Sequence, residues 1–414
     1  MEMTRRSLLG SAAFATTIPA FAATDERWAQ IAAQYDVTRK VVQLEHGNWG
    51  MMANPVLAAY RAWIKRVNRD TSFYARRQMP GELEAIRVRV AREMGVAPGE
   101  IAFTRNATEA MRALILGYNR LRPGDAVLHA DLDYDSMQAC VESLKARRGV
   151  EVIKIALPQP ASHQALIDAY AAALAAHPRV RMMLLTHVSH RTGLILPVAE
   201  ISAMARSKGV DAIVDAAHSV GQIDFRLPDL DADFIGINLH KWIGAPLGVG
   251  AVCIRRGRLA DIDVDPAEPD FGPDDIRARV HTGTPDYSAQ LAVPAAFDFQ
   301  ASVGLAAKQA RLKALRDRWV RPAREIPGID ILTPDDRRCY SAITSFRLSG
   351  RTSHADNVAL ARLLLEKYGI FTVHRDGLAS GSCVRVTPAL ATSLADVDRL
   401  SAALREIVRT GLRT

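Results

Sequence analysis

Between residues 100 and 255 the chain alternates two hydrophobic patterns. Short β-rich runs (IAFTR, AVLHAD, VEVIKIA, VRMMLLTHVS, VDAIVDAAH, DFIGIN and GVGAVCIRR) are separated by segments with apolar residues at helical spacing. Examples are ATEAMRALILGYNRL, SHQALIDAYAAALAAH and PVAEISAMARSKG, the last opened by Pro197 and closed by Gly209. Several of the short runs are continuously apolar, as expected of strands covered on both faces. Strands interleaved with helices predict an α/β architecture, a mostly parallel sheet flanked by helices.

The pattern changes after residue 262. DVDPAEPDFGPDDIRARVHTGTPD is rich in proline, glycine and acid and predicts an irregular segment. A long helical stretch is expected from about 286 to 325. Beyond it, GIDIL, SAITSFRL, HADNVALARLLLEKYG, IFTVH, CVRVTP and SLADVDRLSAALREIV read as strand, strand, helix, strand, strand, helix. That order predicts a smaller α+β unit with an antiparallel sheet. The expected division is an N-terminal arm at 23–45, a large domain at 46–290 and a small domain at 291–414, with a ligand cleft between the two domains.

Residues 1–22 follow a different logic. Arg5 and Arg6 precede an uncharged, moderately apolar stretch that ends in the small-x-small triplet Ala20-Phe21-Ala22. This is the layout of an export signal, with cleavage expected after Ala22. TRRSLL resembles a twin-arginine signal, which implies the twin-arginine export machinery as a partner and a periplasmic destination. The apolar run is short of the roughly 20 residues that a membrane span needs, so no stable membrane association is expected.

With 414 residues, 49% hydrophobic and 24% charged, the chain has material for a large core. Its net charge is +8, or +7 without residues 1–22. The arginines are scattered through amphipathic segments and do not interleave with aromatics in a dense patch, so nucleic acid is not an expected partner. Cys140, Cys253, Cys339 and Cys383 lie far apart, with no C-x-x-C pair. They read as buried small apolar residues; no metal site is expected.

Candidate chemistry collects where ligands of open parallel sheets bind, beyond the carboxyl ends of strands. After IAFTR, the turn at Asn106, Ala107 and Thr108 opens a helix; it either holds a phosphate or simply caps. Asp215 ends VDAIVD and His218 follows three residues later. An acid there could hold a ribose, but no G-x-G-x-x-G follows an early strand, which disfavours a nicotinamide oxidoreductase. DFIGINLHKW delivers Asn238, His240 and Lys241 together. Lys241 is one of only nine lysines against forty-four arginines, and its neighbours Leu239, Trp242 and Ile243 offer no acid. Either it is an exposed turn lysine, or it is a desolvated amine with lowered proton affinity, the condition for bonding to a carbonyl carbon. Arg385, between Val384 and Val386, either pairs internally or projects its forked donors into the cleft.

In their order and spacing these ends resemble the class V aminotransferase family of pyridoxal 5′-phosphate (PLP) enzymes. That family has the fold-type-I architecture and includes cysteine desulfurases, kynureninases and isopenicillin N epimerase-like proteins. The likeness runs from LEHGNWG near residue 44 to CVRVTPAL near 383. It is most specific in DAAHSVGQIDF followed by DFIGINLHKWIGAPLGVG, which set Asp215 and Lys241 26 positions apart.

The resemblance implies that Lys241 bonds the cofactor covalently and that Asp215 pairs with its ring nitrogen. Ala107 and Thr108 by backbone, and Asn238 and His240 by side chain, are expected to hold the phosphate. Tyr134 in DLDYDSM should stack on the ring, and His218 should lie near its hydroxyl. Thr284 in HTGTPD is expected to reach the phosphate of a neighbouring subunit, which implies a homodimer. Arg385 is expected to fix a substrate carboxylate, with Asn48 and His190 beside it; at the place of His190 many relatives carry asparagine.

The expected activity lies at the α-carbon of an amino acid or peptide-borne amino acid, of the aminotransferase or epimerase type. The alternatives are a cysteine desulfurase or lyase and a non-catalytic PLP-fold binder. HRDGLASGSCVR is too short for the loop that carries the desulfurase nucleophile, and Cys383 sits on what reads as a strand, so desulfurase chemistry is disfavoured.

Overall fold

The structure, a computed structural model, describes residues 25–411. The proposed export signal lies outside the described residues. All seven apolar runs form strands of one sheet: β1 (Ile101–Thr104), β2 (Ala126–Ala130), β3 (Glu151–Ile155), β4 (Val180–Thr186), β5 (Asp211–Asp215), β6 (Phe234–Asn238) and β7 (Gly250–Ile254). Their order is β1-β7-β6-β5-β4-β2-β3. Only β7 runs antiparallel, against both β1 and β6. Consecutive residues face opposite sides, so Met183, Leu185, Val214 and Ile235 pack in one apolar layer and Met182, Leu184, Ile213 and Phe234 in the other. Both faces of the inner strands are covered, which is why several of these runs read as continuously apolar.

The stretch expected as one long helix is three: Tyr287–Leu291, Val293–Val303 and Leu305–Arg324. Gly304, with φ of +81°, ends the second and redirects the chain into the third. Val293, Ala296, Phe297 and Val303 pack in the core of the large sheet although they follow residue 290.

A second core gathers Leu315, Trp319, Phe346, Leu360, Leu364, Val384, Val386, Leu400 and Leu404 around a four-stranded antiparallel sheet. In that sheet Cys383–Val386 lies between Thr344–Leu348 and Val373–Arg375. The expected strand IFTVH divides at Thr372, and its first half, Ile370–Phe371, pairs in parallel with Val42–Gln43. The arm therefore belongs to this smaller sheet region, with Val42 and Leu44 in its core. Glu45, next along the arm, bridges to Thr387 and so lies beside Arg385. None of the helices among the described residues is long and apolar enough to cross a membrane.

Candidate active site

Register brings the carboxyl ends of the central strands level. Thr186 at the end of β4 pairs with Asp215 at the end of β5, and Asp215 pairs with Gly236 near the end of β6. Beyond these ends lies a cavity of about 540 Å³, closed on its far side by residues 374–376 and Arg385. Asn48, Ala107, Thr108, Tyr134, His190, Asp215, His218, Asn238, His240, Lys241 and Arg385 all line it. These eleven predicted positions span 338 residues of sequence and meet at one place.

Lys241 has no carboxylate within ion-pair distance among the described residues. Burial pushes its ammonium down to about 8. Its Nζ is 2.9 Å from His218 Nε2, and Trp242 Nε1–H donates to His218 Nδ1 at 3.4 Å. With Nδ1 accepting, the neutral imidazole carries its proton on Nε2 and donates it to the lysine. Burial holds His218 well below its ordinary range, so it stays neutral. In its free-amine form Lys241 has its lone pair engaged by this neutral donor, and burial makes that form far more accessible than in an ordinary lysine. The segment that follows the arm presses on this lysine from outside: the Gly50 N–H donates to His240 O at 2.9 Å. A Cβ at Gly50 would fall 1.7 Å from the Lys241 carbonyl oxygen. That contact explains the second glycine of LEHGNWG.

Asp215 is buried and accepts from the Ala217 N–H at 2.9 Å. Desolvation raises its carboxyl, as expected of an acid lacking the cationic partner that a protonated ring nitrogen would supply. Behind it, burial pushes Asp133 up to about 7; Asp133 accepts from Thr186 Oγ1 at 2.7 Å.

At the other end of the cavity the helix Ala107–Gly117 begins. Asn106 is its cap, accepting from the Glu109 N–H at 2.9 Å, so the capping alternative holds for that residue. Asn238 Oδ1 accepts from the Ala107 N–H at 2.8 Å. The Ala107 amide is thus engaged by Asn238 in this structure, and Thr108 also lines the cavity at the helix start. His240 Nδ1–H donates to Val249 O at 2.9 Å, leaving Nε2 bare in the neutral ring. His240 can donate to a phosphate only after taking up a proton, which an adjacent phosphate charge favours.

Tyr134 and His190 meet edge to face with centroids 5.1 Å apart. His190 Nε2 lies 3.5 Å from Asp135, while its buried Nδ1 has no partner. Arg385 reaches the cavity, but its fork is already engaged. It donates from Nε to Glu45 at 3.3 Å, from Nη2 to the same carboxylate, and from Nη1 to His190 O at 2.6 Å. Arg375 holds Glu45 from the other side at 3.2 Å. A substrate carboxylate must share Arg385 with Glu45, which qualifies the role expected of this arginine. Sequence reasoning missed Glu45, Arg375 and Asp135, whose partners lie far away along the chain and leave no local signal.

Thr284 is exposed and lies outside this cavity, on the loop before Tyr287–Leu291. The four cysteines are buried and unpaired. Cys383 lies inside its strand with its thiol pushed up to about 11 by burial, the opposite of an activated nucleophile. An amine without a counter-ion, an acid without a cation, an orphaned imidazole nitrogen and a helix start at one end suit an aldehyde-bearing pyridine with a phosphate. The residues present fit the cofactor that the resemblance implies.

The class-V aminotransferase family profile matches residues 53–400. Isopenicillin N epimerase of Streptomyces clavuligerus is 30% identical over 394 residues, 91% of this chain and 97% of that protein. A putative L-cysteine desulfhydrase of Oryza sativa subsp. japonica is 31% identical over 289 residues, 66% of this chain and 60% of that protein. Among solved structures, a variant of the lyase C-DES with glycine covalently linked to its PLP cofactor superposes with a TM-score of 0.76. It is 22% identical and covers 90% of this chain and 98% of its own. With the fold, the cavity and the family profile in agreement over most of the described residues, the chain belongs to the class-V aminotransferase family of PLP-dependent enzymes.

Proposed function

We propose that this enzyme acts at the α-carbon of an amino acid or peptide-borne amino acid, by epimerisation or amino transfer. The observation that carries the reading is the pairing of a neutral-poised Lys241 with a buried acid, Asp215, in a cavity that also presents two arginines. Lys241 would hold the cofactor, Asp215 its ring nitrogen, Thr108 and protonated His240 its phosphate, and Tyr134 its ring face. PLP, when bound, supplies an electron sink for negative charge at the α-carbon. Arg385 and Arg375 orient a substrate carboxylate. Once the substrate amine has replaced it on the cofactor, the freed Lys241 would take the α-proton as a general base, and the Nε2–H of His218 would fix where its amine points.

The near full-length likeness to an isopenicillin N epimerase favours this reading over desulfuration, for which Cys383 is buried and unactivated. The test incubates holoenzyme with D- and L-amino acids and 2-oxo acids in deuterated water. Deuterium at the α-carbon with inversion means epimerisation, and bleaching of the visible cofactor band with a new amino acid means transfer. Release of sulfide from cysteine would replace the proposal with elimination, and no turnover of any substrate would leave a binder.

We further propose that the enzyme is an exported homodimer working in the periplasm. The support is the Arg5-Arg6 signal and the position of Thr284 outside its own cavity. Replacing both Arg5 and Arg6 by lysine should retain the protein in the cytoplasm; unchanged export would reject the twin-arginine route.

A further inference from the structure

Among the described residues, one group of three side chains offers metal-ligand atoms within 4.8 Å of one another: His354, His374 and Asp376. His354 opens the helix His354–Tyr368, His374 lies on the strand Val373–Arg375, and Asp376 follows that strand. The sequence reading expected no metal site because the four cysteines lack metal-ligand spacing; these three side chains, drawn from a helix start and a strand twenty residues on, were not singled out.

We propose that these three side chains bind a divalent transition ion of the zinc class at the rim of the catalytic cavity. Asp376 Oδ2 lies 3.0 Å from His354 Nδ1 and 3.5 Å from His374 Nε2. In a tetrahedral zinc site with bonds of about 2.0–2.1 Å, neighbouring ligand atoms stand roughly 3.3 Å apart. The three atoms therefore need only small rotations to surround an ion. Two imidazoles compete here for one carboxylate oxygen, and a central cation satisfies all three groups at once. Asp376 is held for the task by its other oxygen, which accepts from Ser382 Oγ at 2.6 Å, the kind of outer contact that orients a metal-binding carboxylate. The imidazole planes are perpendicular with centroids 4.9 Å apart, so their nitrogens converge without the rings stacking. The flanking Arg375 turns away to Glu45 and does not crowd the ion with charge.

Two histidines and one carboxylate leave a fourth position open. His374 and Asp376 line the cavity, so that position adjoins the route to Lys241. The ligand class it suits is an anionic oxygen or sulfur donor on the substrate, away from the reacting carbon.

The test uses untagged holoenzyme, stripped with chelator and dialysed against Zn²⁺, with bound metal counted by atomic emission. The expected result is one equivalent of zinc, with affinity falling about ten- to a hundredfold in His354→Ala and in His374→Ala. Asp376→Asn should weaken binding similarly while the visible cofactor band and circular dichroism stay unchanged, which separates metal loss from unfolding. Absence of zinc from the wild type at tenfold excess would overturn the proposal. So would variants that bind zinc as tightly as the wild type, because the ion would then sit elsewhere.

Discussion

At the scale of single residues the site depends on which groups are charged. A lysine lowered to about 8 is roughly one-tenth free amine at pH 7, whereas an ordinary lysine is less than a thousandth free. Capture of PLP by the apoprotein, followed by growth of its visible band, should accelerate about tenfold from pH 7 to 9 and then level off. A rate still climbing at pH 10 would show that Lys241 is not depressed. Lys241→Ala should bind PLP without forming that band. Glu45 gives a second residue-scale prediction. Replacing it with glutamine leaves Arg385 buried without its counter-charge, which should cost about 3 kcal/mol and lower the thermal midpoint. The same variant frees the guanidinium fork, so acetate, used as a carboxylate probe, should perturb the cofactor band at several-fold lower concentration. A variant that loses stability without gaining acetate affinity would mean that Glu45 does not compete for the carboxylate position.

At the scale of elements, the helix Leu305–Arg324 supports the catalytic lysine from below through a buried lysine of its own. Lys308 Nζ donates to Trp242 O and, at 2.8 Å, to Gln300 Oε1, with no acid at ion-pair distance among the described residues, and burial pushes it down to about 7. Its folded pKa lies below the unfolded value, so between about 7 and 10 the unfolded chain binds the extra proton and stability rises with pH. In Lys308→Met this rise, on the order of a few kcal/mol, should shrink relative to wild type; Lys241 contributes equally to both proteins and cancels. Denaturant titrations at several pH values measure it, and identical pH slopes would show that Lys308 is already neutralised otherwise. Elements were also the most legible level of the sequence. All seven strands of the large sheet coincide with the β-rich runs; the inner strands are buried on both faces, which leaves little room for polar residues, whereas the edge strand Glu151–Ile155 keeps Glu151 and Lys154 exposed. The single helix expected over 286–325 is three, because the turn at Gly304 depends on a backbone angle that helical periodicity does not encode. The site was half legible for a related reason. Lys241, Asp215 and Asn238 announce themselves at strand ends, whereas Glu45 and Arg375 acquire meaning only when the arm pairs with Ile370–Phe371, more than three hundred residues away.

At the scale of the whole molecule, the cavity mouth carries an apolar surface that a lone chain leaves in water. Trp49 is 54% exposed and Leu247 51% exposed, and each neighbours a cavity residue, Asn48 and Gly248 respectively. Large apolar side chains at such a rim would be covered in the homodimer proposed above. The loop bearing Thr284 is exposed as well, and the family resemblance assigns it to another subunit's phosphate. Sedimentation equilibrium should therefore give twice the mass of the mature chain. Replacing Trp49 and Leu247 together with glutamate should shift the species toward monomer, since charge is depleted from the buried centre of such interfaces. If the second subunit completes the phosphate end through Thr284, that monomer should also release PLP more readily on dialysis. Thr284→Ala should reproduce the loss of PLP while leaving the mass of the dimer intact. A double-glutamate monomer that retains PLP as well as the wild type would show that each chain holds its cofactor alone, with Thr108 and protonated His240 sufficient for the phosphate.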